Sequence, residues 1–173
     1  MKNLRPLLLT LLVLVLTLPA LAQAPAWESE TPLELDGLVL LMSEADLARK
    51  LGPPEREVDD QVRLYGGNTL VRVRDGQVVN LSVFDPTGSC KLAQGGRNLA
   101  RTGTPEEKLR KDFGAPSATY ARPDKPLRTL LYTSRWADLG VVVHSGQVVG
   151  FMLAEPGRMA GALTDTGYLL EAP

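Results

Sequence analysis

The chain has 173 residues, 44% of them hydrophobic, with 19 basic and 20 acidic side chains, one histidine and one cysteine. Its length suits one domain with a real core, or two small fused units. A lone cysteine excludes an intramolecular disulfide, and one histidine with one cysteine excludes a zinc site built from several such ligands.

Residues 1–22 read as a signal peptide. Lys2 and Arg5 form a basic start, Leu7 to Leu18 is almost all Leu and Val, and Ala20-Leu21-Ala22 matches a small-x-small cleavage signal. Gln23 is then the expected mature N-terminus. The apolar run is shorter than the roughly 20 residues of a spanning helix, so an uncleaved anchor is the lesser alternative. No cysteine follows the cleavage site, which closes the lipoprotein route. The product is expected to be periplasmic or secreted, with no membrane span after cleavage.

Charge is unevenly spread: residues 23–60 carry 3 basic and 10 acidic side chains, 61–135 carry 13 and 6, and 136–173 carry 1 and 4. Glu106, Glu107, Asp112 and Asp124 interrupt the basic middle, and no stacking aromatics accompany it. It therefore reads as solvated surface rather than a nucleic-acid or membrane patch.

Residues 23–34 read as a flexible leader. A first unit, 35–88, opens with a helix capped by Ser43, with Asp46 in its first turn, Leu47 and Leu51 on one face, and Gly52-Pro53-Pro54 ending it. Strands are predicted over 62–65, 69–74 and 77–84, with Asp75-Gly76 as a hairpin turn. Residues 89–101 read as a Gly-rich connector. A second unit, 102–156, opens with Thr104-Pro105-Glu106-Glu107 as a capping box, then Leu109 and Phe113, then Gly114-Ala115-Pro116. Strands are predicted over 128–133, 140–144 and 147–154, with Ser145-Gly146 at the turn. Residues 157–173 form a tail in which Tyr168-Leu169-Leu170 reads as a strand or packing segment.

The second unit repeats the first. Gly-x-Pro recurs after 62 residues, the strand tyrosine (Tyr65, Tyr132) after 67, and Gly-Gln-Val-Val and the final proline after 70. Order is kept and only the spacing drifts, as in a duplicated helix-then-sheet unit. The fold class is thus α+β: two tandem repeats of a helix and an antiparallel β-hairpin, with the helices on one sheet face. Two-residue periodicity places Val71, Val73, Val79, Leu81 and Val83, with Val141, Val143, Val149, Phe151 and Leu153, toward the helices. The opposite face differs between copies: Arg72, Arg74, Asn80 and Ser82 stand where Val142, His144, Gly150 and Met152 stand. Any binding surface belongs on that side.

This order of capped helix, Gly-x-Pro, Tyr-bearing strand and Gly-Gln-Val-Val hairpin resembles two related groups over roughly residues 36–156. These are the β-lactamase-inhibitor-protein fold and the BamE/SmpA-type outer-membrane assembly proteins. The resemblance implies an exported, non-enzymatic protein that binds another protein or an envelope component, with Arg72, Arg74, Asn80, Ser82, His144 and Met152 as contacts. Trp136 joins them as an aromatic of the type that anchors interfaces. The assembly proteins differ in their N-terminal lipid-bearing Cys and in holding one unit.

Little else points to chemistry. Gly95-Gly96 is not followed by the residues of a phosphate loop, and Asp59-Asp60 lacks the spacing of a calcium loop. No cofactor, metal or nucleic acid is expected. The rival reading is an enzyme or small-ligand carrier with a site between the repeats around Cys90 and His144, in which Lys91 lowers the thiol pKa.

Overall fold

The computed structural model describes residues 27–171; the expected signal peptide lies outside them. The chain is α+β. The first repeat comprises helix α1 (Glu44–Leu51) and strands β2 (Arg56–Glu57), β3 (Val62–Tyr65), β4 (Thr69–Arg74) and β5 (Gln77–Phe84). The second comprises α2 (Glu106–Phe113), β8 (Ala118–Ala121), β9 (Leu127–Thr133), β10 (Asp138–His144) and β11 (Gln147–Ala154). These eight strands share one antiparallel sheet with β12 (Leu169–Leu170), in the order β12-β8-β9-β10-β11-β5-β4-β3-β2.

Leaving aside β12, which has no counterpart, the order of the eight repeat strands is a palindrome about the β5–β11 seam. There Ser82 lies opposite Met152, and these residues occupy equivalent places 70 apart. The local two-fold relation of the halves therefore passes between them. Leu81 and Leu153 face each other beside it, both with no exposed surface. Each buried leucine contributes about 2 kcal/mol of transfer free energy.

The repeated motifs perform the same backbone tasks in each half. Gly76 O and Gly146 O accept from the amides of Glu44 and Glu106, each at 2.9 Å. The amides of Val78 and Val148 donate to Met42 O and Thr104 O, again at 2.9 Å. A hairpin thus satisfies donors at the start of the helix above it, which an isolated helix leaves unpaired. Asp75-Gly76 and Ser145-Gly146 have positive φ throughout, as such tight hairpin turns need. Gly52 and Gly114 end the helices with φ of 74° and 83°.

The core lies on the helix side of the sheet. Leu47, Leu109 and Phe113 meet Val71, Leu81, Val141 and Leu153 there. One detail departs from simple alternation. Register shifts at Arg72/Val73 and at Val142/Val143, equivalent bulges in the two halves. In consequence Val78 and Val148, rather than the expected Val79 and Val149, turn into the core. The extra residue of a bulge reverses the faces beyond it.

Other segments are more structured than the sequence pattern indicates. The expected leader is packed from Trp27 onward: the indole stacks on Phe113 with centroids 6.2 Å apart and meets Tyr132 edge-on at 5.9 Å. β1 (Leu33–Leu35) joins β6 (Lys91–Gln94) and β7 (Arg97–Arg101) in a three-stranded sheet, so the expected connector is a hairpin turning at Gly95-Gly96. The Thr104 capping box does not form. Pro105 is the N-cap and its ring has no acceptor for a capping bond, whereas Ser43 at the matching place does cap α1; Thr104 Oγ1, one residue earlier, instead accepts from the Arg101 amide at 3.3 Å.

The tail holds a third helix, α3 (Met159–Asp165), lying on the other sheet face. Met159 and Leu163 pack with Tyr120, Leu131, Ala154 and Tyr168. β12 then pairs with β8 at the sheet edge.

The seam predicts unequal tolerance at equivalent sites. A Cβ on Gly150 would stand 2.7 Å from Val83 O. Gly150→Val should therefore cost about 2 kcal/mol or more in denaturant unfolding, while Asn80→Ala at the matching site in the first half should cost under about 1 kcal/mol.

Candidate functional site

The outer sheet face is the surface the duplication leaves free to vary, and its two halves differ. In the second half Leu131 is 3% exposed and Val142 fully buried, both on the face that α3 covers. In the first half Leu70 and Phe84 are each 39% exposed. The boundary between bare sheet and α3 is a groove of about 600 Å³.

Five expected contact residues line this groove: Arg72, Arg74, Asn80, Ser82 and Met152. Arg72 stands on β4 and reaches Gln61 Oε1 at 3.4 Å. Arg74 spans the seam to Glu155, with nitrogen and oxygen 2.6 Å apart. Ser82 Oγ donates to Asn80 Oδ1 at 3.3 Å. Met152 lies across the sheet over Gly140, where an ideal Cβ would stand 2.8 Å from Met152 Cε. Small and large residues thus interlock at the covered edge. The site is an open, mixed surface: apolar strand residues under a rim of arginines.

The other two candidates lie elsewhere. His144 is exposed at the end of β10, beside the Ser145-Gly146 turn, and has no side-chain hydrogen bond among the described residues. Trp136 is 44% exposed in the turn between β9 and β10, with the Arg135 guanidinium 4.7 Å from its ring centroid. It borders a separate apolar depression of about 190 Å³ with Trp27, Leu33, Leu41 and Leu153, on the core side.

Cys90 and His144 form no joint site. The thiol is 1% exposed, and no hydrogen bond links the two side chains among the described residues. Burial pushes the Cys90 thiol strongly up, and the carboxylates of Asp36 and Asp85 add to that, so the lowering expected from Lys91 is overridden. Among the described residues no cluster of three or more His, Cys, Asp or Glu side chains could hold a metal ion.

Two buried carboxylates were not singled out by sequence pattern. Asp85, directly after β5, is 4% exposed. It accepts from the amides of Thr87, Ser89 and Cys90 at 2.8–2.9 Å and from the hydroxyls of Thr87 and Ser89. Those hydroxyls, aided by the amides, hold its carboxyl well below the usual range despite burial. Asp-x-Thr-x-Ser is the local signal that could have indicated such a turn. Asp138, 1% exposed, accepts the Met159 amide at 3.0 Å and so caps α3 from a strand 21 residues upstream. That pairing has no local signature.

Asp85→Asn should lower stability by about 2 kcal/mol or more at neutral pH, measured by denaturant unfolding. A depressed folded-state pKa contributes stability that is complete above the unfolded value near 4 and is lost as pH falls below it. Acid titration of stability should therefore be shallower in Asp85→Asn than in the native protein below about pH 4. Cys90 should react with a thiol reagent at neutral pH only at the rate of protein opening, and at once in denaturant.

No protein-family model and no curated protein matches this chain. Among solved structures the chain is similar to the crystal structure of a DUF4309 family protein (YjgB) from Bacillus subtilis. The two are 18% identical, with a TM-score of 0.47, over 65% of this chain and 78% of that one.

Proposed function

We propose that this protein is an exported, non-catalytic protein-binding module of the bacterial cell envelope, which contacts its partner through the bare half of the outer sheet face. The observation that carries this reading is the unequal cover of two equivalent surfaces. One half is closed by α3 in the chain itself, while the other presents Leu70, with the half-buried Val62, to solvent beside Arg72 and Arg74. Exposed apolar residues ringed by arginine are the composition of interface centres rather than of ordinary surface. Export rests on the signal-like pattern of residues 1–22. The resemblance to the β-lactamase-inhibitor-protein and BamE/SmpA-type folds belongs to the same proposal, since those proteins bind other proteins with related units.

Capture from envelope extract tests it, with the protein and its Leu70→Asp/Arg72→Glu variant as parallel baits. Both substituted side chains are solvent-exposed, so the variant should unfold within about 0.5 kcal/mol of the original. The reading expects at least one species to be retained by the original and lost from the variant. Identical retention by both would remove this face from consideration.

A further inference from the structure

The halves correspond position by position, so the covered half shows what the bare half is shaped to receive. Ala118 pairs with Leu131 just as Arg56 pairs with Leu64, and the 62- and 67-residue offsets carry one pair onto the other. On the same registers Tyr120 corresponds to Val58, and Gly140 to Leu70. Tyr120 is 7% exposed in the half under α3, whereas Val58 is 49% exposed. Tyr120 and Leu131 are thus matched by Val58 and Leu64, while Arg72 and Ser82 replace Val142 and Met152, so the first half keeps part of an apolar docking face without the helix.

Among the described residues, residues 27–171, no segment supplies that helix. After β5, Asp85 ties the loop to the start of β6, and Cys90, Leu92 and Ala100 join the core cluster on the opposite face. In the second half the cover is a short helix whose Met159 and Leu163, four apart, face the sheet. Beside it there is room for another. Gly161 and Ala162 line the groove, and a Cβ on Gly161 would meet no atom within 4 Å. Two helices approach closely where such small residues face each other.

Charge selects the occupant. Arg72, Arg74 and Arg158 line the groove against Glu155 and Asp165, and Glu155 is already held by Arg74. Among the described residues, Arg72 and Arg158 have no acidic partner within ion-pair distance. Asp165 is likewise unpaired among the described residues, so the groove keeps two free cations against one free carboxylate, around strand residues Val62, Leu70 and Val79 with Asn80 and Ser82.

We infer that the bare half of the outer face receives an amphipathic helix of a partner protein, acidic along its flanks, seated beside α3 with apolar residues at i and i+4 against Val62, Leu64 and Leu70. The inference rests on the binding reading above and names the element that would be bound.

The probe is a synthetic helical peptide with Met and Leu four residues apart and glutamates on both flanks, titrated into the isotope-labelled exported protein. Amide shifts should saturate and be confined to β3, β4, β5 and α3. The lysine-flanked peptide and the Arg72→Glu variant should each weaken binding about tenfold or more, and added salt should weaken the glutamate peptide. No binding by the glutamate peptide, equal binding by the lysine peptide, or shifts centred elsewhere would overturn the inference. A photo-crosslinking side chain in place of Leu70, used in envelope extract, separates this from the broader reading. Cross-linking into a partner's helix supports both. Cross-linking into a partner's strand or loop keeps the binding module and overturns the helix; cross-linking to another copy's α3 overturns the partner helix in favour of exchange between copies. No cross-link at all overturns both.

Discussion

Everything in this structure depends on the antiparallel pairing of β5 with β11. It joins two duplicated units edge to edge and extends both sheets into one. Equivalent strands meet in opposite directions, so the same residue set presents itself twice, related by the two-fold passing between Ser82 and Met152. The pairing also removes an exposed edge from each unit, which would otherwise invite association with another chain. Leu81 and Leu153 are buried by it, and Gly150 is confined to hydrogen by the approach of Val83 O.

From that seam the two faces acquire different fates. Toward the helices both halves must be apolar, because α1, α2 and the small sheet all close on it. Toward the other side the duplication imposes nothing. The tail helix in one half, capped by Asp138 and anchored by Met159 and Leu163, breaks the symmetry. The bare half that remains has strand residues at the helix-docking positions and arginines at the rim. The proposed function rests on that asymmetry; Cys90 is sealed in the core with its proton held, and the His144 side chain makes no hydrogen bond among the described residues.

The repeat was legible because its signals are local. Gly52, Gly114, Asp75-Gly76 and Ser145-Gly146 each need a backbone conformation that few residues tolerate, so they recur at fixed places. Five of the seven expected contact residues share one groove because strand alternation sets which face a side chain takes. What was not legible is long-range. The bulges move Val78 and Val148 inward, and no single strand records them. Trp27 looks like part of a polar leader until Phe113 and Tyr132 are brought beneath it. α3 lacks a capping side chain of its own and contains Gly161; its cap comes from Asp138 on another element. Gly95-Gly96 between alternating residues, by contrast, is a hairpin signal in its own right, obscured by the glycine content around it.

The unequal cover of the two halves is tested most directly by solvent paramagnetic relaxation of methyl groups on the outer face. A soluble paramagnet should strongly broaden the methyls of Leu70 and leave those of Leu131 and Leu163 sharp, the former being 39% exposed and the latter pair 3% each. Equal protection of all three would mean that the first half is covered too, and equal broadening that α3 does not sit on the second. Either result would contradict the account.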